Sequence, residues 1–213
     1  MKALVTGFEP FGGDALNPAL EALRRLPPNL DGLSLATRVL PTAFGRSFCA
    51  LEDAIATTGP DLVLCLGLAG GRPALSLERV AINVDDAGIP DNDGQQPIDR
   101  PIVAAGPAAY FSTLPIKAAV AELRRAGLPA VVSNTAGTFV CNHVFYGLMH
   151  LAATRWPGLR GGFLHLPYLP SQAARHDAMP SLALDDIVRG VEIILRTAAA
   201  RTEDIAAAEG ALS

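Results

Sequence analysis

The sequence predicts an α/β protein: an open, twisted, mostly parallel sheet flanked by helices on both faces, in a single domain. Three features carry that expectation. Short apolar runs alternate with helix-length amphipathic stretches, the pattern of strands joined by helical crossovers. The run Leu62–Leu66 is apolar at every position, as a central strand covered on both sides requires. Near the end, Leu184, Ile187, Val188, Val191, Ile194 and Leu195 recur at helical spacing and form one stripe.

Taken in order, strands are expected at Ala3–Thr6, Leu33–Leu40, Asp61–Gly67, Leu75–Val84, Ala130–Ser133 and Gly162–Leu166. Helices are expected at Pro18–Leu26, Phe44–Thr57, Pro115–Ala126, Val140–Thr154 and Leu182–Ala199. Two segments fall outside the alternation. Asp85 to Tyr110 is long and rich in Pro, Gly, Asp and Asn; a connection of that length in a compact domain is usually functional or an interface element. Residues 1–200 read as the single domain, and the Ala- and Glu-rich tail 201–213 is expected to fray.

Composition narrows the function. Of 213 residues, half are apolar and 18% charged, which excludes a disordered chain. A formal net charge of −4 gives no basic face for nucleic acid or an anionic membrane. No apolar run approaches the ~20 residues of a membrane span, and the start lacks the pattern of a secretory signal. Cys49, Cys65 and Cys141 are odd in number and unclustered, so neither a disulfide framework nor a zinc site is expected. The expected setting is reducing and cytoplasmic, with no metal and no cofactor.

Cys141 stands where a helical pattern begins after a strand. Unpaired backbone N–H groups and the positive end of the helix dipole favour a thiolate there, and the same groups could hold an oxyanion. Cys65, inside a strand, and Cys49, without an activating neighbour, read as ordinary thiols. Among the histidines, His143 is two residues from Cys141, a spacing that points to another side of the helix. His150 and His176 read as surface residues. His165, near a strand's carboxyl end, is better placed for a ligand site; it is either a general base or a hydrogen-bonded core histidine. Glu78 shares a predicted strand face with Val80, Ile82 and Val84, where a carboxylate needs a partner. It either pairs with a structural Arg or orients a catalytic imidazole. Gly67-Leu-Ala-Gly-Gly-Arg72 lacks dinucleotide-site spacing, and Asp91-Asn-Asp-Gly94 lacks the glutamate of a calcium loop.

Several segments together resemble the type I pyroglutamyl peptidases, also called pyrrolidone carboxyl peptidases. They are Thr6-Gly-Phe-Glu-Pro-Phe-Gly-Gly13, Gly70-Gly-Arg72, Glu78-Arg-Val-Ala-Ile-Asn83, Ile89-Pro-Asp-Asn92, Gly106-Pro-Ala-Ala-Tyr110, Thr135-Ala-Gly-Thr-Phe-Val-Cys-Asn142 and Gly161-Gly-Phe-Leu-His-Leu-Pro-Tyr168. The resemblance implies a cysteine peptidase with a triad at Cys141, His165 and Glu78, acting on peptides with an N-terminal pyroglutamyl residue. It implies that Phe8, Phe11, Asn17, Phe139 and Val140 form a slot for the pyrrolidone ring, although Phe8 and Phe11 alone would read as core plugs. It also implies a homo-oligomer, commonly a tetramer. Two positions depart from the family pattern: Leu68 where Gln is usual, and Gly88 where Arg is common. The departures leave open a hydrolase of another small N-acyl or lactam amide. A non-catalytic binder of blocked peptide N-termini is the alternative outside enzymes.

Overall fold

The computed structural model describes residues 1–177 and 179–209. Its main sheet has seven strands in the order β2-β3-β1-β4-β9-β5-β8. These are β1 (Lys2–Phe8), β2 (Asn29–Leu30), β3 (Leu33–Leu40), β4 (Leu62–Leu68), β5 (Leu75–Glu78), β8 (Ala130–Ser133) and β9 (Arg160–Leu166). Four pairings are parallel; β2·β3 and β5·β9 are antiparallel. The expected α/β class, with its mostly parallel sheet, is what forms.

One face of the sheet packs on α1 (Pro18–Arg25), α3 (Ile116–Arg125) and α6 (Leu184–Ala200). The other packs on α2 (Arg46–Thr58) and α4 (Val140–Thr154). Central strands alternate between the two cores: Leu62, Leu64 and Leu66 of β4 enter the first, Val63 and Cys65 the second, which is why that run is apolar throughout. Local chemistry sets the helix ends. Asn17 caps α1 by accepting from the Ala19 N–H at 2.9 Å, with Pro18 following it. Gly59 closes α2 in the left-handed conformation at φ 58°.

The predicted strand Leu75–Val84 is two strands. β5 ends at Glu78, and the chain leaves the sheet at Arg79 to form β6 (Val80–Ile82). β6 pairs antiparallel with β7 (Ala109–Phe111) in a separate ribbon. Glu78 therefore shares no strand face with Val80 or Ile82. The break has a visible cause: the fully buried Asn142 side chain accepts from the Ile82 N–H (3.0 Å) and donates to the Ile82 and Val84 carbonyls (2.9 and 3.0 Å). A side chain on α4 thus supplies β6 with backbone partners that a sheet neighbour would otherwise provide. The ribbon frames the long segment after Asp85. Three short elements among the described residues carried no readable pattern, the two-residue β2, the three-residue β7 and the one-turn α5 (Pro170–Ala173).

Of the tail expected to fray, residues 210–213 lie outside the described residues. Residues 202–209 form no helix or strand but lie against α3. Asp204 accepts from the Lys117 and Ala118 N–H groups (2.9 and 2.8 Å), and Glu209 pairs with Arg124 at 2.6 Å. Among the described residues, no helix is long and apolar enough to cross a membrane.

Candidate active site

β1 lies between β3 and β4, and the connections to its two neighbours run over opposite faces. α1 covers one face and α2 the other, so a crevice opens beyond the carboxyl ends of these strands. A cavity of about 170 Å³ occupies that position. Its walls are Phe8, Phe11, Leu16 and Asn17 from the β1–α1 connection, Thr42 after β3, Leu68 at the end of β4, and Phe139, Val140 and Cys141 at the start of α4. All five residues expected to form the ring slot therefore line one cavity, together with Cys141. Phe11 and Phe139 face each other with ring centroids 5.3 Å apart, and Phe44 meets Phe139 edge-on at 5.3 Å. Leu68 is itself a wall. Gly88 is exposed, with open space where a side chain would project.

Cys141 lies in the first turn of α4, as expected. Its sulfur rests on β4: a Cβ built on Gly67 would come within 2.9 Å of Cys141 Sγ and 2.7 Å of the Phe163 ring. Only glycine lets the thiol approach the sheet there. Gly67 is the register partner of His165 in the parallel β4·β9 pair, so the His165 side chain leaves the sheet on the same face, one strand over. Glu78 reaches the same place from β5. Ser76 pairs with His165 across the antiparallel β5·β9 ladder, and Glu78, two residues on, projects from the same face. His165 Nδ1 and Glu78 Oε1 are 2.7 Å apart, and both residues are buried. A carboxylate only accepts, so Nδ1 carries the proton and Nε2 is left as the basic nitrogen. Among the described residues, no hydrogen bond joins Cys141 to His165.

Arg72 also bonds Glu78 Oε1, at 2.6 Å, and reaches Ser133 Oγ (3.3 Å) and the Thr135 carbonyl (3.1 Å). Glu78 thus pairs with an arginine, one of the two readings left open for it, and at the same oxygen hydrogen-bonds the His165 imidazole. Its Oε2 is buried with no hydrogen-bond partner among the described residues. Arg72 carried no residue-level signal beyond its place in Gly70-Gly-Arg72.

The electrostatics bear on one expectation. Cys141 keeps partial exposure to the cavity, yet burial pushes its thiol up to about 12; Glu78 acts in the same direction and Arg72 opposes them. Burial thus disfavours the thiolate that the helix start favours. His165 is held below its ordinary value, chiefly by burial and also by Arg72, against the hydrogen bond and charge of Glu78. Burial acts on both groups in the same sense, towards the neutral thiol and the neutral imidazole.

The remaining histidines sit elsewhere. His143 is buried; it donates from Nδ1 to Asp85 (2.8 Å) and accepts the Gly45 N–H at Nε2 (3.1 Å), so both nitrogens are committed. His150 and His176 are less free than surface residues: His150 Nδ1 bonds the Tyr110 hydroxyl at 3.0 Å, and His176 stacks on Tyr168 at 4.7 Å. Among the described residues, no group of three or more His, Cys, Asp or Glu could hold a metal ion.

Fold and site together define a class: an α/β protein in which a cysteine, a histidine and a carboxylate gather beside one small apolar cavity at strand carboxyl ends. A family model described as "Pyroglutamyl peptidase" matches residues 1–201. The pyrrolidone-carboxylate peptidase 1 of Ralstonia nicotianae is 57% identical over 210 residues, covering 98% of each chain. The pyrrolidone-carboxylate peptidase of Streptomyces coelicolor is 56% identical over 216 residues, covering 99% of this chain and 98% of that one. Among solved structures, pyroglutamyl peptidase I of Bacillus amyloliquefaciens superposes with a TM-score of 0.95 at 48% identity, covering 97% of this chain and 99% of that one. A variant of the pyrrolidone carboxyl peptidase of Pyrococcus furiosus superposes with a TM-score of 0.91 at 40% identity, covering 94% and 99%. The chain belongs to the pyroglutamyl peptidase family and is a hydrolase of the pyroglutamyl peptidase I kind.

Proposed function

We propose that this chain hydrolyses the amide bond after an N-terminal pyroglutamyl residue of a peptide, with Cys141 as nucleophile, His165 as general base and acid, and Glu78 as the group that orients His165. The observation that carries the assignment of roles is the His165–Glu78 hydrogen bond, with the Cys141 sulfur seated on the register partner of His165 at the cavity wall. The pyrrolidone ring occupies the slot between Phe11 and Phe139, an apolar enclosure suited to a small flat lactam. In this reading the thiol and His165 Nε2 meet in the substrate complex, where catalytic hydrogen bonds often tighten.

His165 Nε2 takes the thiol proton as sulfur attacks the pyroglutamyl carbonyl, forming the S–C bond. Backbone N–H groups at the start of α4 receive the developing oxyanion. The intermediate collapses with cleavage of the C–N bond, and His165 delivers its proton to the departing amine. Water then attacks the thioester, with His165 again as base, releasing pyroglutamate and the thiol. No step draws on a metal or an organic cofactor.

The test is release of a fluorescent amine from a pyroglutamyl amide, with rates normalised to folded protein. Cys141→Ser, His165→Asn and Glu78→Gln are each expected to lower kcat, the first by at least about 10⁴-fold. Undiminished turnover in Cys141→Ser rules the assignment out. Leu68 favours a second reading, a hydrolase with looser ring selectivity, because an apolar side chain stands at the cavity wall. A panel of pyroglutamyl, prolyl and acyl amides separates the two. A cytoplasmic setting and a homo-oligomer, expected as a tetramer, belong to the same proposal. Supporting them are three free cysteines and the exposed Ile89, Ile98 and Phe111 side chains.

A further inference from the structure

One wall of the cavity is a loop with little packing of its own. Phe11, Leu16 and Asn17 all line the cavity, but between them Gly12 and Gly13 adopt positive φ (66° and 83°) with nothing within 4 Å of where a side chain would be. The loop reaches α1 through Asn17, whose side chain donates to the Glu9 carbonyl at 3.1 Å and caps the helix. Its middle is held from outside, by a residue the reaction does not use.

Gln172, in α5, is fully buried and its amide is fully engaged. Its Oε1 accepts from the Leu169 N–H at 3.2 Å, which fixes the amide to the turn after β9. Its Nε2 donates to Asp14 Oδ2 and to the Leu16 carbonyl, both at 3.1 Å. Among the described residues, Asp14 accepts nothing shorter from its other neighbours: Arg175 is 3.9 Å away and His176 3.5 Å. The Asp14 N–H donates back to the Phe11 carbonyl at 3.2 Å, passing the restraint to the residue that faces Phe139. A buried amide with three committed bonds is costly to leave unpaired, so the position is over-determined for filling space alone.

We propose that Gln172 is a positioning residue for the substrate ring: it clamps the loop that carries Phe11 and Leu16 against the start of α4. This rests on the pyroglutamyl amide reading of the cavity. The clamp acts on the ring slot and touches neither Cys141 nor His165. Its loss therefore weakens ring binding more than it slows the chemical steps.

The experiment measures KM and kcat for a fluorogenic pyroglutamyl amide in wild type, Gln172→Leu and Asp14→Ala, with active sites titrated. It also measures the Kd of 2-pyrrolidone, which reports the slot without turnover. Gln172→Leu is expected to raise KM and Kd about tenfold with kcat within about threefold, and Asp14→Ala to move both in the same direction by less. A purely structural role would lower the titratable fraction and leave KM and Kd unchanged. Wild-type KM and Kd in the variants overturn the proposal; if Gln172→Leu does not fold, Asp14→Ala alone decides it by the same criterion. Wild type that binds 2-pyrrolidone but does not cleave the amide would sink the peptidase reading while the clamp is still judged on Kd. Wild type that does neither overturns both.

Discussion

Arg72 sits at the balance point of the site's charges. It bonds the same Glu78 oxygen as His165 does, lowers the His165 value and opposes the upward push on the Cys141 thiol. Because His165 is held below its ordinary value of ~6.5, its basic form persists into mildly acidic solution. Activity that needs neutral His165 is present above that lowered value and disappears as pH falls through it. Burial is the chief cause of that lowering and persists in Arg72→Leu, but the smaller share from Arg72 is gone; the acid limb of kcat/KM should therefore move to higher pH, and turnover near neutrality should fall, by up to ~10²-fold. Iodoacetamide gives an independent reading of the same charges. With the thiol at about 12, labelling of the free enzyme should keep rising with pH beyond the ~8.5 of an ordinary cysteine. A labelling plateau at acidic pH would mean a resting thiolate–imidazolium pair, and an unmoved acid limb in the variant would remove Arg72 from the account. At this scale the sequence was informative about residue type and less so about environment. Cys141, His165 and Glu78 were visible from a helix start, a strand end and a misplaced carboxylate. Arg72, Gly67 and Asn142 were not, since their importance lies in what crosses from other elements. The Cys141 environment divides in the same way: a helix start is readable in sequence, but the burial that opposes its effect on the thiol is a property of packing.

Three elements were legible to the residue: β3, β8 and α4 begin and end where the sequence reading places them. The failures came where a tertiary contact overrides pattern. The apolar positions change phase at Glu78 and Arg79, from Leu75 and Leu77 to Val80, Ile82 and Val84; there Asn142 draws β6 away from the sheet, and β7 is a three-residue strand hidden in a turn-rich segment. The start of α3 is another case. Its N-cap is Pro115, which has no side-chain acceptor to offer the first turn. Asp204, from the tail, takes that role across 86 and 87 residues, accepting from Ala118 and Lys117. A carboxylate at a helix start also complements the dipole. Asp204→Ala should therefore lower stability by about 1 kcal/mol, seen as a reduced urea midpoint with an unchanged slope. The cavity lies on other elements, so kcat/KM should hold. A variant as stable as wild type would mean that the tail contributes nothing to α3.

For the molecule as a whole, the long segment after β6 has two sides with different chemistry. Its inner side is tied to the cavity loops. Asn92 donates from its backbone to the Thr42 carbonyl (3.0 Å) and from its side chain to Glu9 Oε1 (3.0 Å), while Asp91 accepts from the Phe44 N–H at 2.8 Å. Its outer side presents Ile89 and Ile98 at 55% and 58% exposure, large aliphatic side chains that a lone chain gains nothing by holding in water. The same segment thus braces the cavity loops from within and offers an apolar surface without. A homo-oligomer built on that surface would bury the two isoleucines and stiffen Thr42 and Phe44, so assembly and ring binding would be coupled through one piece of backbone. Sedimentation should then give a mass well above the 22.2 kDa of one chain. Ile98→Glu, which places a charge in the buried contact, should shift the chain toward monomer and raise KM for the pyroglutamyl amide, with a smaller change in kcat. A wild-type chain that sediments as a monomer would rule out the interface. An Ile98→Glu monomer with unaltered KM would instead leave the assembly standing but break its link to the site.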